Sequence, residues 1–375
     1  MSPLEQMIGV RTSPDRILCI RLSGLGDVVH AMNALSVLRK ALPDAFIAWA
    51  LEERFAGLLQ GHPYIDELVS VPRGQWTAVL RNPLRWLVLT PELRELRRRL
   101  RAFQFNVSLD FQSSLKSVWL VWWAAAGLRI GFARPVNREL NWLFQNHRVK
   151  APAAMHRIER DLALLKPLGI RGLYADAVLP VSDGAAGYIN QALDGRLTGG
   201  PLVVIHPGTS ASASFKRWSP DRYAALADRL VAERGADVLV TYGPDERGVA
   251  ESVVGRMSAR GQLSPPTPDL QQMTALLARA ALFVGSDTGP MHVASALGVP
   301  VVALFGPKDP VQTGPYGSRA AVVTGRAHCR PCSRRGCRRV ECMQTIMVDD
   351  VFRAAEAVLD GRGRRRADQW KSPGS

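Results

Sequence analysis

Short apolar runs, each closed by a glycine-rich or polar turn, alternate along this chain with longer stretches of helical periodicity. In the first half Arg16–Leu22, Ala45–Ala50, Glu67–Val71 and Phe105–Asp110 read as strands, with helical patterns over Val28–Leu42 and Ser113–Ala126, the latter followed by the short run Arg129–Phe132. The second half restarts the rhythm. Leu202–His206, Asp237–Thr241, Leu282–Gly285 and Val301–Phe305 read as strands; Pro220–Glu233, Glu246–Ser258, Thr274–Ala280, Met291–Leu297 and Asp349–Leu359 read as helices. Strands alternating with helices at this spacing predict parallel βαβ units. Between the halves, Gly169–Gly187 loosens into Gly, Asp and Ala and reads as a linker. The expected class is α/β, with two doubly wound Rossmann-like domains facing a central cleft. They take residues 1–175 and 176–360, and a basic tail follows over 361–375. Ligands in such folds bind beyond the C-terminal ends of the strands, so the turns that close the strands are where chemistry is expected.

Charge sharpens the picture. Lys and Arg exceed Asp and Glu by 48 − 33 = 15, which points to anionic partners. The excess is localised: from Arg73 to Arg101 there are eight arginines against Glu92 and Glu95, and the tail adds Arg362, Arg364, Arg365, Arg366 and Lys371. Over Pro91–Phe103 an apolar stripe of Leu93, Leu96, Leu100 and Phe103 faces away from Arg94, Arg97, Arg98 and Arg101. A basic amphipathic helix of this kind suits either an anionic membrane surface or packing of its stripe on its own domain. The most apolar run, Val118–Leu128, is eleven residues long, against the roughly 18–20 needed to span a bilayer. Met1–Pro14 lacks the apolar core of a signal peptide. A cytoplasmic protein, peripheral on the inner face of the inner membrane, is expected.

Four strand-end turns carry candidate chemistry. Ser23-Gly24-Leu25-Gly26-Asp27 holds glycines that admit close approach of a second substrate, with Asp27 as either a general base or a helix cap. His206-Pro207-Gly208-Thr209-Ser210, with Lys216-Arg217 beyond it, offers adjacent cations for a diphosphate, or is a solvated basic loop. In Tyr242–Glu246, Asp245 or Glu246 is placed to accept hydrogen bonds from ribose hydroxyls, or simply to favour the first helical turn. Ser286-Asp287-Thr288-Gly289-Pro290-Met291-His292 is the most specific. Gly289 and Pro290 open a helix whose free N–H groups suit a phosphate, Asp287 suits sugar hydroxyls, and His292 lies in the same turn.

Five cysteines remain to be placed. Cys19 lies alone in an apolar run, as a buried small residue would. Cys329, Cys332, Cys337 and Cys342 are spaced x2, x4, x4. Such crowding suits a structural zinc site, or else a set of reduced thiols or one disulfide in a basic loop.

Taken in order and spacing, these pieces resemble glycosyltransferase family 9, the ADP-heptose:lipopolysaccharide heptosyltransferases, from about Arg16 to Leu359. The resemblance rests on Ser23–Asp27, Leu109-Asp110-Phe111-Gln112 to Lys116-Ser117, His206-Pro207-Gly208, Lys216-Arg217-Trp218, Asp287–His292, Phe305-Gly306-Pro307 and the late cysteines ending Cys342-Met343. It implies a GT-B architecture and an inverting transfer without a metal or other cofactor, with ADP-heptose as donor and an anionic glycolipid as acceptor. By the same resemblance Asp27 is the base, Lys216 binds the diphosphate, Asp287 holds the donor sugar, and Thr288 and Gly289 meet the phosphates. Thr209 and Ser210 line that pocket, with Asp245 or Glu246 on the nucleoside; His292, from its place in the Asp287 turn, is a secondary binding candidate. Ser23, Gly24, Gly26, Asp110, Gln112 and Lys116 fall on the acceptor side, and the Arg-rich N-terminal half on the inner-membrane surface. One departure from the family pattern is the Ser-Ala-Ser-Ala-Ser run before Phe215. Competing readings are a same-fold transferase with another nucleotide sugar, and a non-catalytic nucleotide-sugar or anionic-polymer binding protein. Nucleic acid is not an expected partner, because most tryptophans sit in apolar or helical contexts rather than among the basic residues.

Overall fold

The computed structural model describes residues 15–72, 90–136, 139–152, 154–171, 174–332, 334 and 337–363. The first part of the Arg-rich stretch, residues 73–89, and the end of the basic tail lie outside these. The chain divides into two compact units, residues 1–180 and 181–375. Helix α5 begins at Asp183, where the Ser182 hydroxyl accepts a hydrogen bond from the Ala185 N–H. The expected linker therefore ends well before Gly187.

The N-terminal unit is a six-stranded sheet: β1 (Arg16–Ile20), β2 (Phe46–Glu52), β3 (Glu67–Val71), β4 (Val107–Asp110), β5 (Leu128–Phe132) and β6 (His147–Val149). Its helices are α1 (Leu25–Ala41), α2 (Pro91–Ala102), α3 (Leu115–Ala124) and α4 (Arg157–Ala163). The order is β3-β2-β1-β4-β5-β6 and every pairing is parallel. Four of the five β1 residues are buried, as expected of a parallel strand covered on both faces. The chain leaves β1 in opposite directions to reach β2 and β4, so the crevice between β1 and β4 is the switch point where such sheets bind ligands.

Helix α2 decides between the two readings of the Arg-rich amphipathic stretch. Thr90 caps it, Pro91 opens it, and Leu93, Leu96 and Leu100 are buried in the core with Leu18, Ile20, Val69 and Leu120. Its apolar face is therefore used inside its own unit, and the side left to solvent carries Arg94, Arg97, Arg98, Arg99 and Arg101 with Glu92 and Glu95.

The C-terminal unit repeats the plan with β7 (Leu202–His206), β8 (Asp237–Val240), β9 (Gly261–Leu263), β10 (Leu282–Ser286), β11 (Val301–Phe305) and β12 (Ala320–Thr324). Helices α5 (Asp183–Leu193), α6 (Pro220–Arg234), α7 (Arg247–Val254), α8 (Leu270–Ala278), α9 (Gly289–Ala296) and α10 (Val348–Leu359) complete it. The order β12-β11-β10-β7-β8-β9 is the same topology, again all parallel, with its switch point between β7 and β10. Val203, Ile205, Val284 and Leu304 pack against Leu226, Leu230, Phe352 and Val358 of the covering helices.

Candidate active site

In the N-terminal unit the first switch-point turn closes on Asp27. Helix α1 starts at Leu25, so Asp27 stands inside its first turn; Gly24 is the N-cap and no side chain caps the helix. The capping role is thus not the one Asp27 plays. Its carboxylate meets two guanidinium groups. Arg21 Nη2 lies 2.8 Å from Oδ2 and Arg157 Nη1 2.7 Å from Oδ1. Arg21 is buried and also donates to the Phe111 carbonyl, which ties it to the loop after β4. Arg157, from α4, is about a third exposed, as is Asp27. Gly24 adopts φ 87°, and a Cβ there would stand 2.5 Å from Asp27 Oδ2, so the carboxylate occupies space that only glycine leaves open.

Neighbouring groups fall into two kinds. Gln112 Oε1 accepts from the N–H groups of Leu22 (2.9 Å) and Ser23 (3.2 Å), which pins the turn that carries Ser23, Gly24 and Gly26. Lys116 is exposed, 4.0 Å from Glu52. Asp110 differs from its expected role on the acceptor side. It is fully buried and accepts hydrogen bonds from Gln112 N, Ser113 N, Ser117 Oγ, Asn141 Nδ2 and Gln145 Nε2. Burial raises its carboxyl against those donors. Asp110 therefore shapes the loop that bears Gln112 instead of facing a ligand. Behind Asp27, Asp161 is buried and burial pushes its carboxyl up to about 6; Arg160 and Arg21 oppose this and Asp27 adds to it.

In the C-terminal unit Lys216 and Asp287, 71 residues apart in sequence, form one constellation. Lys216 Nζ donates to Asp287 Oδ2 at 2.6 Å and to the Asp287 carbonyl at 3.0 Å. Two of the three ammonium donors are thus spent within the site, leaving one for a ligand. On the other side His292 Nε2 lies 3.4 Å from Asp287 Oδ1. Burial alone would raise this carboxyl; the His292 hydrogen bond and the Lys216 charge overcome it and hold Asp287 well below the usual carboxylate range. Thr288 is the N-cap of α9 but makes no side-chain cap bond, and Pro290 supplies no N–H. The first turn of α9 therefore presents Gly289 and its neighbours without a side-chain cap.

Lys216 is held in place by its neighbours. It ends a 3₁₀ turn, Ala211–Lys216, between the buried Phe215 and Trp218, and the Trp218 indole donates to the Ile346 carbonyl at 3.0 Å. Arg217 spends its fork on Thr209, donating from Nε to Oγ1 (3.0 Å) and from Nη2 to the carbonyl (2.5 Å). Thr209 is accordingly buried, whereas Ser210 is exposed. The structure also separates the two acidic residues after β8. Asp245 is exposed, while Glu246 turns inward, accepting from Gly243 N (2.9 Å) and lying 3.4 Å from His206 Nε2. A Cβ on Gly208 would stand only 2.3 Å from Glu246 Oε2. Burial lowers the His206 imidazole, with Glu246 pulling the other way.

The late cysteines do not come together as a tetrahedral set. Cys329 is exposed, Cys332 and Cys337 are partly buried and Cys342 is buried. Among the described residues no group of three or more His, Cys, Asp or Glu is placed to hold a metal. Burial, and then the neighbouring Cys329 and Cys337, raise the Cys342 thiol. The loop instead braces the end of β11. Cys332 N donates to the Pro307 carbonyl (2.7 Å), and Arg330 donates to the carbonyls of Gly306 and Gly325.

Sequence reasoning did not find Arg21 or Arg157 as site residues, and it quoted His206 within its turn without giving it a role. Arg21 carried a signal, a lone cation at a strand end beside the glycine turn. Arg157 carried none, because it reaches Asp27 across 130 residues.

Two Rossmann-like units of identical strand order, each with charged turns at its switch point, define a GT-B glycosyltransferase fold. Solved structures agree: a family 9 glycosyltransferase from Veillonella parvula (TM-score 0.76, 23% identity, 93% of this chain and 99% of that one) and the Escherichia coli heptosyltransferase WaaC with ADP (0.70, 24%, 91% and 99%). The model of glycosyltransferase family 9 (heptosyltransferase) matches residues 93–342. Lipopolysaccharide heptosyltransferase 1 of Pseudomonas aeruginosa is 31% identical over 328 residues, 86% of this chain and 87% of that protein. Its counterpart in Escherichia coli K12 is 28% identical, over 82% and 92%. The chain belongs to glycosyltransferase family 9, the heptosyltransferase family, and is an enzyme of that class.

Proposed function

We propose that this enzyme transfers heptose from ADP-heptose to the inner core of lipopolysaccharide, on a Kdo- or heptose-bearing lipid A, by one inverting displacement without a metal. Asp27 carries this reading. It is a partly exposed carboxylate, fixed at the switch point of the N-terminal unit by Arg21 and Arg157, where an acceptor hydroxyl approaches over Ser23, Gly24 and Gly26. Its oxygen takes the hydroxyl proton as the acceptor oxygen bonds the anomeric carbon. The bond from that carbon to the diphosphate breaks, and its electron pair leaves on the phosphate oxygen. Lys216 and the first turn of α9, with Thr288 and Gly289, neutralise that charge. Asp287 accepts hydrogen bonds from the donor sugar, Glu246 meets the nucleoside, and Gln112 and Lys116 flank the acceptor. The enzyme works at the inner face of the inner membrane, where a lipid-anchored acceptor is held.

Calorimetric titration with ADP, UDP and GDP tests the donor. Selective ADP binding that weakens in Lys216→Ala supports the reading, and preference for UDP or GDP replaces the donor. Turnover tests the base: Asp27→Ala is expected to lose about 10²–10⁴-fold in kcat, and wild-type turnover would remove Asp27 from that role.

A further inference from the structure

The membrane residence proposed above needs a surface, and α2 does not supply an apolar one, because its leucines are buried. Eight large hydrophobic side chains among the described residues are exposed, and five of them, Leu115, Trp122, Leu140, Leu143 and Phe144, belong to α3 and the 3₁₀ turn Asn141–Phe144 with the residue before it. These two elements pack on each other. Asn141 Nδ2 donates to the Ser114 carbonyl (2.9 Å) and to Ser117 Oγ (3.0 Å), so the turn is fixed against the start of α3. Trp119 stands beside the exposed Trp122, with ring centroids 5.4 Å apart, and beside the buried Trp123 at 6.0 Å. The patch is thus a supported aromatic and aliphatic face, each residue 41–55% exposed.

Its rim is cationic. Lys116 is exposed on α3. Arg148 lies over the Trp142 ring, 4.9 Å from its centroid, and donates to the Trp142 carbonyl. Arg129 donates to the Phe144 carbonyl at 3.0 Å. Two acidic side chains meet the patch and its rim: Glu139, which accepts from Leu115 N, and the buried Glu52, 4.0 Å from Lys116. We propose that this face docks the enzyme on an anionic lipid bilayer, Trp122, Leu143 and Phe144 entering the interface and Lys116, Arg129 and Arg148 meeting lipid headgroups. Tryptophan, phenylalanine and leucine with a cationic border match the chemistry of that interface. A second copy of the chain fits less well. A two-fold contact sets this patch against itself and brings one cationic rim against another.

The inference extends the proposed membrane location, and its test uses neither donor nor acceptor, so it stands or falls apart from the assigned reaction. Full-length protein is sedimented with vesicles of phosphatidylcholine alone and of phosphatidylcholine mixed with phosphatidylglycerol. Wild type is expected to pellet with the anionic vesicles, and Trp122→Glu/Leu143→Glu to bind roughly tenfold or more weakly. Leu143→Ser/Phe144→Ser, a milder change at exposed positions, is expected to weaken binding in the same direction. Arg94→Glu/Arg97→Glu on α2 is expected to keep most of it. Equal pelleting of wild type and both patch variants would overturn the proposal, as would failure of wild type to bind anionic vesicles. So would a wild-type dimer that the patch variants convert to monomer.

Discussion

Replacing Lys216 by methionine removes the ammonium from Asp287 and leaves a carboxylate 9% exposed, with His292 Nε2 3.4 Å from its other oxygen. Stripping one partner from a buried ion pair costs about 3–5 kcal/mol. Lys216 is itself 16% exposed, which places the cost near the lower end. An independent ceiling comes from protonation: neutralising an ordinary carboxylate at pH 7 takes about 4 kcal/mol. A cost of about 3 kcal/mol lies under that ceiling, and for a domain of this size it lowers the melting temperature by about 6–12 °C. The pH dependence is the sharper readout. Asp287 is held well below its ordinary value in the folded protein, so its stabilisation is complete above about pH 4 and is lost as pH falls below that. Lys216→Met relieves much of the depression, so the gap between variant and wild type should be widest near neutral pH and narrow below about pH 4. Asp287→Asn in the Lys216→Met background should cost less than the two single changes added together. Scanning calorimetry from pH 3 to 8 measures all of this. A melting temperature unchanged at neutral pH, or a gap constant across the range, would refute the coupling.

Four further outcomes are expected. Gly24→Ala forces a Cβ into Asp27 at positive φ; stability should fall by about 1–3 kcal/mol, and turnover by about 10²-fold through displacement of the carboxylate, read by melting and transfer assays on the same sample. Asp161, with its carboxyl near 6 in the fold against 3.8, keeps a proton that the unfolded chain has released, so it withdraws stability as pH rises from about 4 to 6, about 3 kcal/mol when complete; in Asp161→Asn this part of the slope disappears, and identical pH–melting curves would sink the assignment. Leu96→Glu should cost more than about 4 kcal/mol as an unpaired charge in the core, whereas Arg97→Glu stays within about 0.5 kcal/mol, a contrast that urea unfolding resolves. Arg157→Gln should lower kcat/KM by about 3–10-fold with little change in melting temperature, as befits a part-exposed pair, and Arg157→Lys should restore part of it; loss through melting alone would make Arg157 structural.

How much of this was written in the sequence follows from the range of each interaction. Strands such as Leu202–His206 and Val301–Phe305 were legible because parallel strands covered on both faces are unbroken apolar runs. The three-residue strands β6 and β9 are too short for any period to show. Helix α2 displayed its amphipathic pattern plainly, yet the pattern is the same whether the stripe meets a bilayer or the residues of β1 and β3. Asp110 looked like a ligand-facing carboxylate because its five donors come partly from Asn141 and Gln145, more than thirty residues on. Asp245 and Glu246 are chemically near-equivalent in a string of letters; the room left by Gly208 and Gly243 separates them.

The two units share a topology and a device, a carboxylate gripped by cations at the switch point, and burial divides the labour between them. Asp287 lies between Lys216 and His292 with 9% exposure and is held far below the ordinary carboxylate range. A group so placed remains ionised through any physiological pH, which makes it a dependable acceptor for sugar hydroxyls and a poor acceptor for a proton. Asp27 is 29% exposed, and its two oxygens meet unequal partners. Arg21, buried and tied to the Phe111 carbonyl, keeps Oδ2 in register with the sheet. Arg157, on a helix and part-exposed, is the contact for which the proposed anionic acceptor would compete. In the proposed reaction, loss of that contact on acceptor binding would free Oδ1 for the incoming hydroxyl. The asymmetry of the two arginines thus supports Asp27 as the base, with acceptor binding and proton removal coupled through one side chain.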